Sequence, residues 1–169
     1  METALISLVC FAIIILGTLT TIMTSFNAAS TVSGSLKEME EQAADIRRTE
    51  ISAVPPTNYE GGDIYLTVNN EGQTNLAQFS KWDIIVQYEN GMTNYINYTT
   101  NNPPGNNEWT VEAIYVGNDP EIWNPNILNP DERVMVIVNI DPDVSTGDRI
   151  AITVATPNGV TAQCQVEHR

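Results

Sequence analysis

The hydrophobic residues of this 169-residue chain follow two patterns, which meet near residue 50. No residue from 3 to 36 carries a formal charge, and the most apolar part of this stretch lies between residues 5 and 26. The stretch contains no proline, and the apolar residues beyond Leu36 recur every three or four positions, as on one face of a helix. The pattern predicts a single helix from Ala4 to about Arg48. Its apolar part is long enough to span a bilayer or to pack against copies of itself.

Beyond residue 50 the pattern changes to alternation, which is typical of strands with one buried face. Seven such segments follow, at residues 64–68, 82–88, 94–99, 109–115, 134–140, 150–155 and 160–166. In the fourth segment the residues expected on the buried face are Trp109, Val111, Ala113 and Tyr115. The predicted fold is therefore α+β, with a long N-terminal hydrophobic helix over residues 1–50. An antiparallel, immunoglobulin-like β-sandwich head is predicted over residues 51–169.

Small side chains in the predicted helix favour close packing against other helices. Gly17, Ala28, Ala29 and Ser30 leave room for a second backbone, as small residues do between membrane helices. We therefore expect these positions at contacts between helices. The predicted helix would be about 70 Å long, far more than a bilayer requires, so its length indicates a role beyond anchoring.

The strand predicted at residues 134–140 departs from alternation, because Met135 and Ile137 make its second face apolar as well. Such a strand is covered on both sides. The cover is either a loop of the same domain, such as the connection from residue 117 to 130, or a neighbouring head. Both alternatives stay open at this point.

The distribution of charge limits the kinds of molecule that the head can bind. The formal net charge is −14 at pH 7, and residues 51–169 carry fifteen acidic and four basic side chains. A head this acidic repels nucleic acid and anionic lipid headgroups, so we expect no nucleic-acid partner.

Cys10 and Cys164 both lie on apolar faces, in separate regions of the chain. We expect each to pack as a small hydrophobic residue and not to form a disulfide.

Residue combinations typical of enzymes do not occur in the sequence. It contains no Gly-rich phosphate loop, nucleophile elbow or Cys/His metal cluster, and its one histidine, His168, is the penultimate residue. We expect His168 to be a frayed, solvated side chain. The sequence therefore predicts a protein that is not an enzyme.

Two local motifs suggest a ligand or a modification. Asp141, Asp143, Ser145 and Asp148 place oxygen atoms in a pattern that calcium prefers. The alternative is an ordinary turn, because Asp, Pro, Ser and Gly are also turn formers, and no other cofactor is expected. Asn97 begins the only N-glycosylation sequon, which would matter if the head lies outside the cell.

Three segments of the head resemble those of a known family. Residues 62–76 contain the strand and turn Leu-Thr-Val-Asn-Asn-Glu-Gly-Gln-Thr-Asn-Leu, which is similar to the family pattern l-x-V-x-N-x-G-x-T-x-L. Residues 81–88 and 129–132 are similar to family segments as well. With the uncharged N-terminal helix, they resemble the archaeal type IV pilin-like superfamily, and within it the archaellins and their accessory relatives. Mature bacterial pilins usually carry a glutamate at their fifth residue, where this chain has Leu5. Archaellins, like this chain, lack that glutamate.

The resemblance implies a structural subunit of an extracellular helical filament of the archaellum type, which serves motility. It implies a homopolymer formed through the N-terminal helix, a prepilin-peptidase-type processing enzyme, an assembly platform, and insertion in the cytoplasmic membrane before assembly. Removal of a short basic leader would explain why no Lys or Arg precedes Lys37. The alternatives are a membrane-anchored accessory archaellum protein and an adhesive type IV pilin-like subunit, in which the β-sandwich binds envelope or surface partners.

Overall fold

A computed structural model of the chain describes residues 2–57, 59 and 62–169. Its internal contacts divide the chain into two compact units, Met1–Ala43 and Ala44–Arg169. The described part of the first unit is helical throughout. The second unit, called the head below, contains the last turn of the helix and all the strands of the described residues.

Helix α1 extends over Glu2–Arg48, which confirms the long helix predicted from the sequence. Its side chains from residue 6 to 42 are all exposed in the single chain. Thr20, Thr21 and Thr24 donate their hydroxyls to carbonyl oxygens about one turn earlier, over 2.8–3.1 Å. These bonds satisfy the hydroxyls within the helix. By length and composition α1 can cross a bilayer.

The described residues of the head form eleven strands. These are β1 (Ile51–Val54), β2 (Ile64–Asn70), β3 (Leu76–Ala77), β4 (Asp83–Tyr88), β5 (Thr93–Tyr98), β6 (Glu108–Val116), β7 (Asp119–Pro120), β8 (Ile127–Leu128), β9 (Arg133–Asn139), β10 (Arg149–Ala155) and β11 (Thr161–Glu167). The main sheet has the order β1-β2-β9-β6-β5-β4-β10-β11, with β7 added beside β6, while β3 and β8 pair separately. The pairing of β5 with β6 is parallel and the others are antiparallel. Because β1 also contacts β11, the sheet nearly closes on itself.

One hydrophobic core lies inside this sheet. Alternate strand residues point into it, and Leu66, Ile84 and Ile152 are fully buried there, as the sequence pattern predicts. Trp82 and Trp109 are the largest buried side chains. The predicted sandwich and its seven strands are confirmed, whereas β1 and the two-residue strands β3, β7 and β8 were not predicted.

A β-bulge in β6 overturns one expectation about the core. The register of β6 against β9 shifts between Val111 and Ala113, so that Glu112 is an extra residue. An extra residue exchanges the two faces of the strand beyond it. Ile114 is therefore buried, whereas Ala113 and Tyr115, which alternation places on the buried face, are only half-buried.

The directions of the strands give the head two ends. β2 ends at Asn70, beside the start of β9 and the last turn of α1, and we call this the helix end. The connection at residues 117–126, after β6, and the turn at residues 156–160, after β10, also lie there. The opposite end, called the far end, carries the turn at residues 89–92 and the connection at residues 140–148.

Removal of β1 should destabilise the head. This strand forms four residue pairs with β2 and buries Ile51. A fragment that begins at residue 54 lacks the strand, so we expect its free energy of unfolding to be at least ~2 kcal/mol lower than that of a fragment beginning at residue 44. Denaturant unfolding of both fragments, followed by circular dichroism, measures the difference. Equal stabilities would show that β1 lies outside the cooperative fold.

Candidate functional site

The end of helix α1 is fastened to the turn that follows β2, and all the contacts described here lie within the head. The N–H of Gln73 donates to the carbonyl oxygen of Arg48 at 2.7 Å, and the N–H of Glu71 donates to that of Glu50 at 2.9 Å. Helices leave their last carbonyl groups without partners inside the helix. These bonds therefore give the carbonyl oxygens of Arg48 and Glu50 hydrogen-bond donors, and they hold the end of α1 against the turn after β2.

Gly72 permits this close approach of two backbones. A Cβ atom at Gly72 would lie 2.5 Å from both the carbonyl oxygen of Arg48 and the nitrogen of Glu50. Both atoms belong to the backbone, so neither can turn aside as a flexible side chain would. The position therefore requires glycine for reasons of space.

Asn70 organises the same turn from within the head. Its side chain is 1% exposed, and its amide group donates to the carbonyl oxygens of Thr74 at 2.8 Å and Leu128 at 3.0 Å. Its amide oxygen accepts the N–H of Gly72 at 3.2 Å. A buried side chain that both donates and accepts in this way defines the shape of the turn, since an unpaired buried polar group would be costly.

The segment at residues 129–132 meets Asn70 from the other side. The Asn70 N–H donates to the carbonyl oxygen of Glu132, and the Asp131 N–H donates to that of Asn70, both at 2.9 Å. The Glu132 carboxylate, although buried, accepts the backbone N–H and the side-chain amide of Asn129. Two of the three segments that resemble the family thus converge at the helix end of the head, which the sequence did not reveal.

The hairpin after β10 adds a further contact at this end. Asn158 donates from its amide group to the Thr49 hydroxyl at 2.7 Å, and that hydroxyl donates to the carbonyl oxygen of Asp45 at 2.8 Å. Thr49 is buried. The last turn of α1 is therefore held by two separate turns of the head.

Gly72→Ala should destabilise the head by about 1–3 kcal/mol, because the added methyl group overpacks two backbone segments. Thermal unfolding of residues 44–169 measures the loss. Gly105→Ala is the matched control, since a Cβ there would meet only the flexible Glu108 side chain, at 3.0 Å. An equal effect of both substitutions would contradict the close approach at Gly72.

The acidic residues of the calcium hypothesis have protein partners. Asp141 accepts a hydrogen bond from the side chain of Asn106 at 2.8 Å, and Asp143 accepts one from Tyr59. Among the described residues, which include Asp148, no group of three or more His, Cys, Asp or Glu side chains is placed to hold a metal ion. Calcium binding stays a prediction from the sequence.

The expectation of a frayed C-terminus is wrong. The half-buried ring of His168 contacts the carbonyl oxygen of Val144, and its centroid lies 5.2 Å from that of Tyr59. Its backbone accepts the N–H of Gly147 at 2.8 Å and donates to the carbonyl oxygen of Asp148 at 3.1 Å. The C-terminus therefore closes the far end of the head. The signal that the sequence analysis missed is Tyr59, which provides the aromatic partner.

Asp143 links the same elements. The Tyr59 hydroxyl donates to its carboxylate, as do the N–H of Gly62 at 3.2 Å and its neighbour Val144 at 2.8 Å. Burial raises the pKa of Tyr59, and its hydrogen bond to Asp143 raises it further. For Asp143, burial alone would raise the pKa, but these three hydrogen bonds lower it below its ordinary value of 3.8.

Asp143→Asn should weaken the dependence of head stability on acid. Because the pKa of Asp143 is lowered in the fold, its carboxylate stabilises the fold fully above about pH 4, and this contribution is lost as the pH falls through the folded-state value. The melting temperature of the parent should therefore fall more steeply below about pH 4 than that of the variant. Circular dichroism melts across this range provide the test. Asp148→Asn, an exposed carboxylate of the same loop, is the control and should behave as the parent does.

The remaining residues singled out from the sequence lie at separate places. The Asn97 side chain is exposed on β5, open to modification. Ile137 is 3% exposed within its own head, while Met135 is half-buried. Ile137 is therefore covered within its own head, and a contact between heads on this face, through the half-buried Met135, stays a prediction.

The small residues of α1 are exposed in the single chain. Gly17, Ala28, Ala29 and Ser30 all lie on open parts of the helix, and a Cβ at Gly17 would meet nothing within 4 Å. Any constraint on their size must come from outside the single chain.

Cys164 is buried in the head, which raises the pKa of its thiol to about 11.

A long apolar helix followed by a β-sandwich head is the architecture of a filament-forming class of proteins. Comparison of the sequence with models of known protein families identifies the family. The family model described as archaeal-type flagellin matches residues 4–166. The chain belongs to the archaeal-type flagellin family. No curated protein matches it in sequence.

Solved structures share the fold. The archaeal flagellum of Methanospirillum hungatei strain JF1 is 11% identical, with a TM-score of 0.57, and the match covers 96% of this chain and 92% of that one. Flagellin FlaB1 from Methanocaldococcus jannaschii is 11% identical, with a TM-score of 0.54 over 72% of this chain and 91% of that one. The archaellum periplasmic stator protein FlaG from Sulfolobus acidocaldarius is 20% identical, with a TM-score of 0.54 over 70% and 99%.

Proposed function

We propose that this chain is the structural subunit of an extracellular archaellum filament and polymerises through helix α1. The observation that carries the proposal is the uncovered apolar surface of α1, which belongs to a chain of the archaeal-type flagellin family. Exposed apolar side chains of this number need an apolar environment, since each large one gains about 1.5–3 kcal/mol on burial. A bundle of α1 helices from many copies supplies that environment outside the membrane.

The length of α1 supports a helix bundle over a simple anchor. The helix has 47 residues, whereas a bilayer needs about 20. Leu36, Met39 and Ile46 lie beyond the uncharged stretch or at its end, and each is about half exposed or more. An anchor has no use for apolar residues at that distance along the helix, but a neighbouring helix in a bundle can cover them.

The proposal includes the steps before assembly. The chain would be inserted in the cytoplasmic membrane by the apolar part of α1, processed by a prepilin-peptidase-type enzyme, and passed to an assembly platform. The length and composition of α1 support the membrane stage. The heads would then form the outer layer of the filament, where Asn97 is open to glycosylation. We propose no enzymatic role and no nucleic-acid partner.

Gly17→Leu should prevent filament assembly and leave the head folded. Within the single chain nothing lies within 4 Å of a Cβ at Gly17, so a larger side chain disturbs only what packs against α1 from outside, which in a filament is a neighbouring helix. The measurement is the amount of filament seen by electron microscopy in material sheared from cells, with the total amount of the protein determined by immunoblotting.

Gly17→Ala is the matched control, since a single methyl group should reduce assembly less than leucine does. Normal filaments with leucine at position 17 would contradict close helix packing there. An accessory role predicts a different distribution of the parent protein, because an accessory subunit stays with membranes while a filament subunit dominates the sheared fraction.

A further inference from the structure

Two hairpin turns of the head contain the same pair of residues in the same backbone geometry. In this sequence, glycine follows asparagine only at Asn90–Gly91 and at Asn158–Gly159. In both turns the glycine N–H donates over 2.9 Å to the carbonyl oxygen three residues earlier, and the glycine φ is +87° or +85°. The backbone therefore treats the two asparagines alike, and their side-chain contacts distinguish them.

The side chain of Asn158 is held at both of its polar atoms, whereas that of Asn90 is not. Asn90 is exposed, and its oxygen accepts the N–H of Met92 at 2.9 Å within the same turn. Asn158 is half-buried; its nitrogen donates to the Thr49 hydroxyl at 2.7 Å, and its oxygen lies 2.5 Å from the Thr156 hydroxyl. Thr49 directly follows α1, so the attachment of the helix end also fixes the side chain of Asn158.

An Asn-Gly pair can deamidate without an enzyme. The backbone nitrogen of the glycine attacks the carbon of the side-chain amide, and a C–N bond forms. The bond from that carbon to Nδ2 breaks, and ammonia leaves with the proton of the glycine N–H. Water then opens the succinimide ring to aspartate or isoaspartate, so water is the only co-reactant and nothing is oxidised or reduced. Glycine favours the attack because it has no Cβ to obstruct the close approach.

The side-chain contacts of Asn158 oppose this reaction. The side chain must rotate until its amide carbon meets the nitrogen of Gly159, but hydrogen bonds to two threonines hold it in one rotamer. The atom that must leave as ammonia is the one that Thr49 binds. The hydrogen bond of Asn90 stays within its own turn, so the same rotation is less restrained there.

We propose that Asn158 is a deamidation site and that its bond to Thr49, at the end of helix α1, protects it. The asparagine persists while the Thr49 hydroxyl holds its amide group. Separation of the helix end from the hairpin frees that group, and deamidation follows. The proposal concerns contacts within the head and does not depend on the filament function.

The product of the reaction does not restore the original attachment. A carboxylate has no hydrogen to donate, and the Thr49 hydroxyl already gives its own hydrogen to the carbonyl oxygen of Asp45 at 2.8 Å. One of the two hydrogen bonds of Thr49 is therefore lost. Asp45 and Asn158 line the same open hollow, so the new negative charge also adds to an existing one. Deamidation thus makes a reversible separation permanent.

Peptide mass spectrometry of the full-length chain in detergent micelles tests the protection. The protein is incubated at mildly alkaline pH, and each conversion is followed by the mass change from amide to carboxylate and by the separate elution of isoaspartate peptides. Asn90 is the control within the same molecule. In the parent we expect Asn90 to convert about five times faster than Asn158, the factor that one ordinary hydrogen bond represents.

Two substitutions at Thr49 separate the hydroxyl from the rest of the side chain. Thr49→Val removes the hydroxyl and keeps the shape, so the rate at Asn158 should rise about fivefold while the rate at Asn90 stays unchanged. Thr49→Ser keeps the hydroxyl and should leave both rates near those of the parent. A similar rise at both asparagines would indicate a general opening of the head and would overturn the proposal.

Hydrogen exchange tests whether the product releases the helix end. Asn158→Asp introduces the carboxylate directly, and amides of residues 44–50 should then exchange faster in the full-length chain than in the parent. Asn90→Asp is the matched control and should leave the exchange of that segment unchanged.

Each result bears on one part of the proposal. Equal conversion of Asn90 and Asn158 in the parent would overturn the protection, as would an unchanged rate at Asn158 in Thr49→Val. No conversion of Asn158 in any variant would overturn the modification site itself. Unchanged exchange of residues 44–50 in Asn158→Asp would overturn the permanent release. None of these measurements requires assembled filaments, so each leaves the proposed function as it stands.

Discussion

The requirement to cover the apolar surface of helix α1 governs this protein. Every described side chain from residue 6 to 42 is exposed in the single chain, so folding alone leaves the largest hydrophobic surface of the molecule open. Lipid can cover it before assembly and other copies can cover it afterwards. The head has a complete core of its own and does not need α1 for that purpose. The helix is therefore free to exchange one apolar environment for another while the head keeps its fold.

The residues that the family pattern singles out serve the attachment of the chain to the head at the end of α1. Leu66 and Val68 extend from β2 into the hydrophobic core of the head. Asn70 shapes the turn after β2, and Gly72 lets that turn approach the backbone of Arg48 and Glu50. A force on the helix of a filament subunit must pass through this short segment. Backbone hydrogen bonds and a buried amide transmit such a force better than long surface side chains, because they have little freedom to rearrange.

The sequence predicted the parts of this structure that depend on local periodicity. The alternation around Ile64 and Ile84 and the uninterrupted apolar run of α1 each correspond to an observed element. It did not predict features that depend on distant partners. Glu112 looks like any strand residue until its register against β9 is known. His168 is held by Tyr59, more than a hundred positions earlier, and by the loop that contains Val144. The exposure of Trp123 is not predictable from the sequence either, because an isolated apolar pair in a loop gives no indication of whether the rest of the chain covers it.

Helix packing and head contacts contribute differently to an assembly of this kind. Burial of α1 supplies a large free energy but limited specificity, because apolar side chains along a helix can pack against a neighbour in more than one register. Contacts between heads supply less free energy but more specificity. The like charges of the heads disfavour most approaches and leave few surfaces on which contact is favourable. A contact between heads that buries only a few side chains can then select one register among several. The large apolar surface drives association, and the repulsion between the heads restricts the arrangements in which that association is stable.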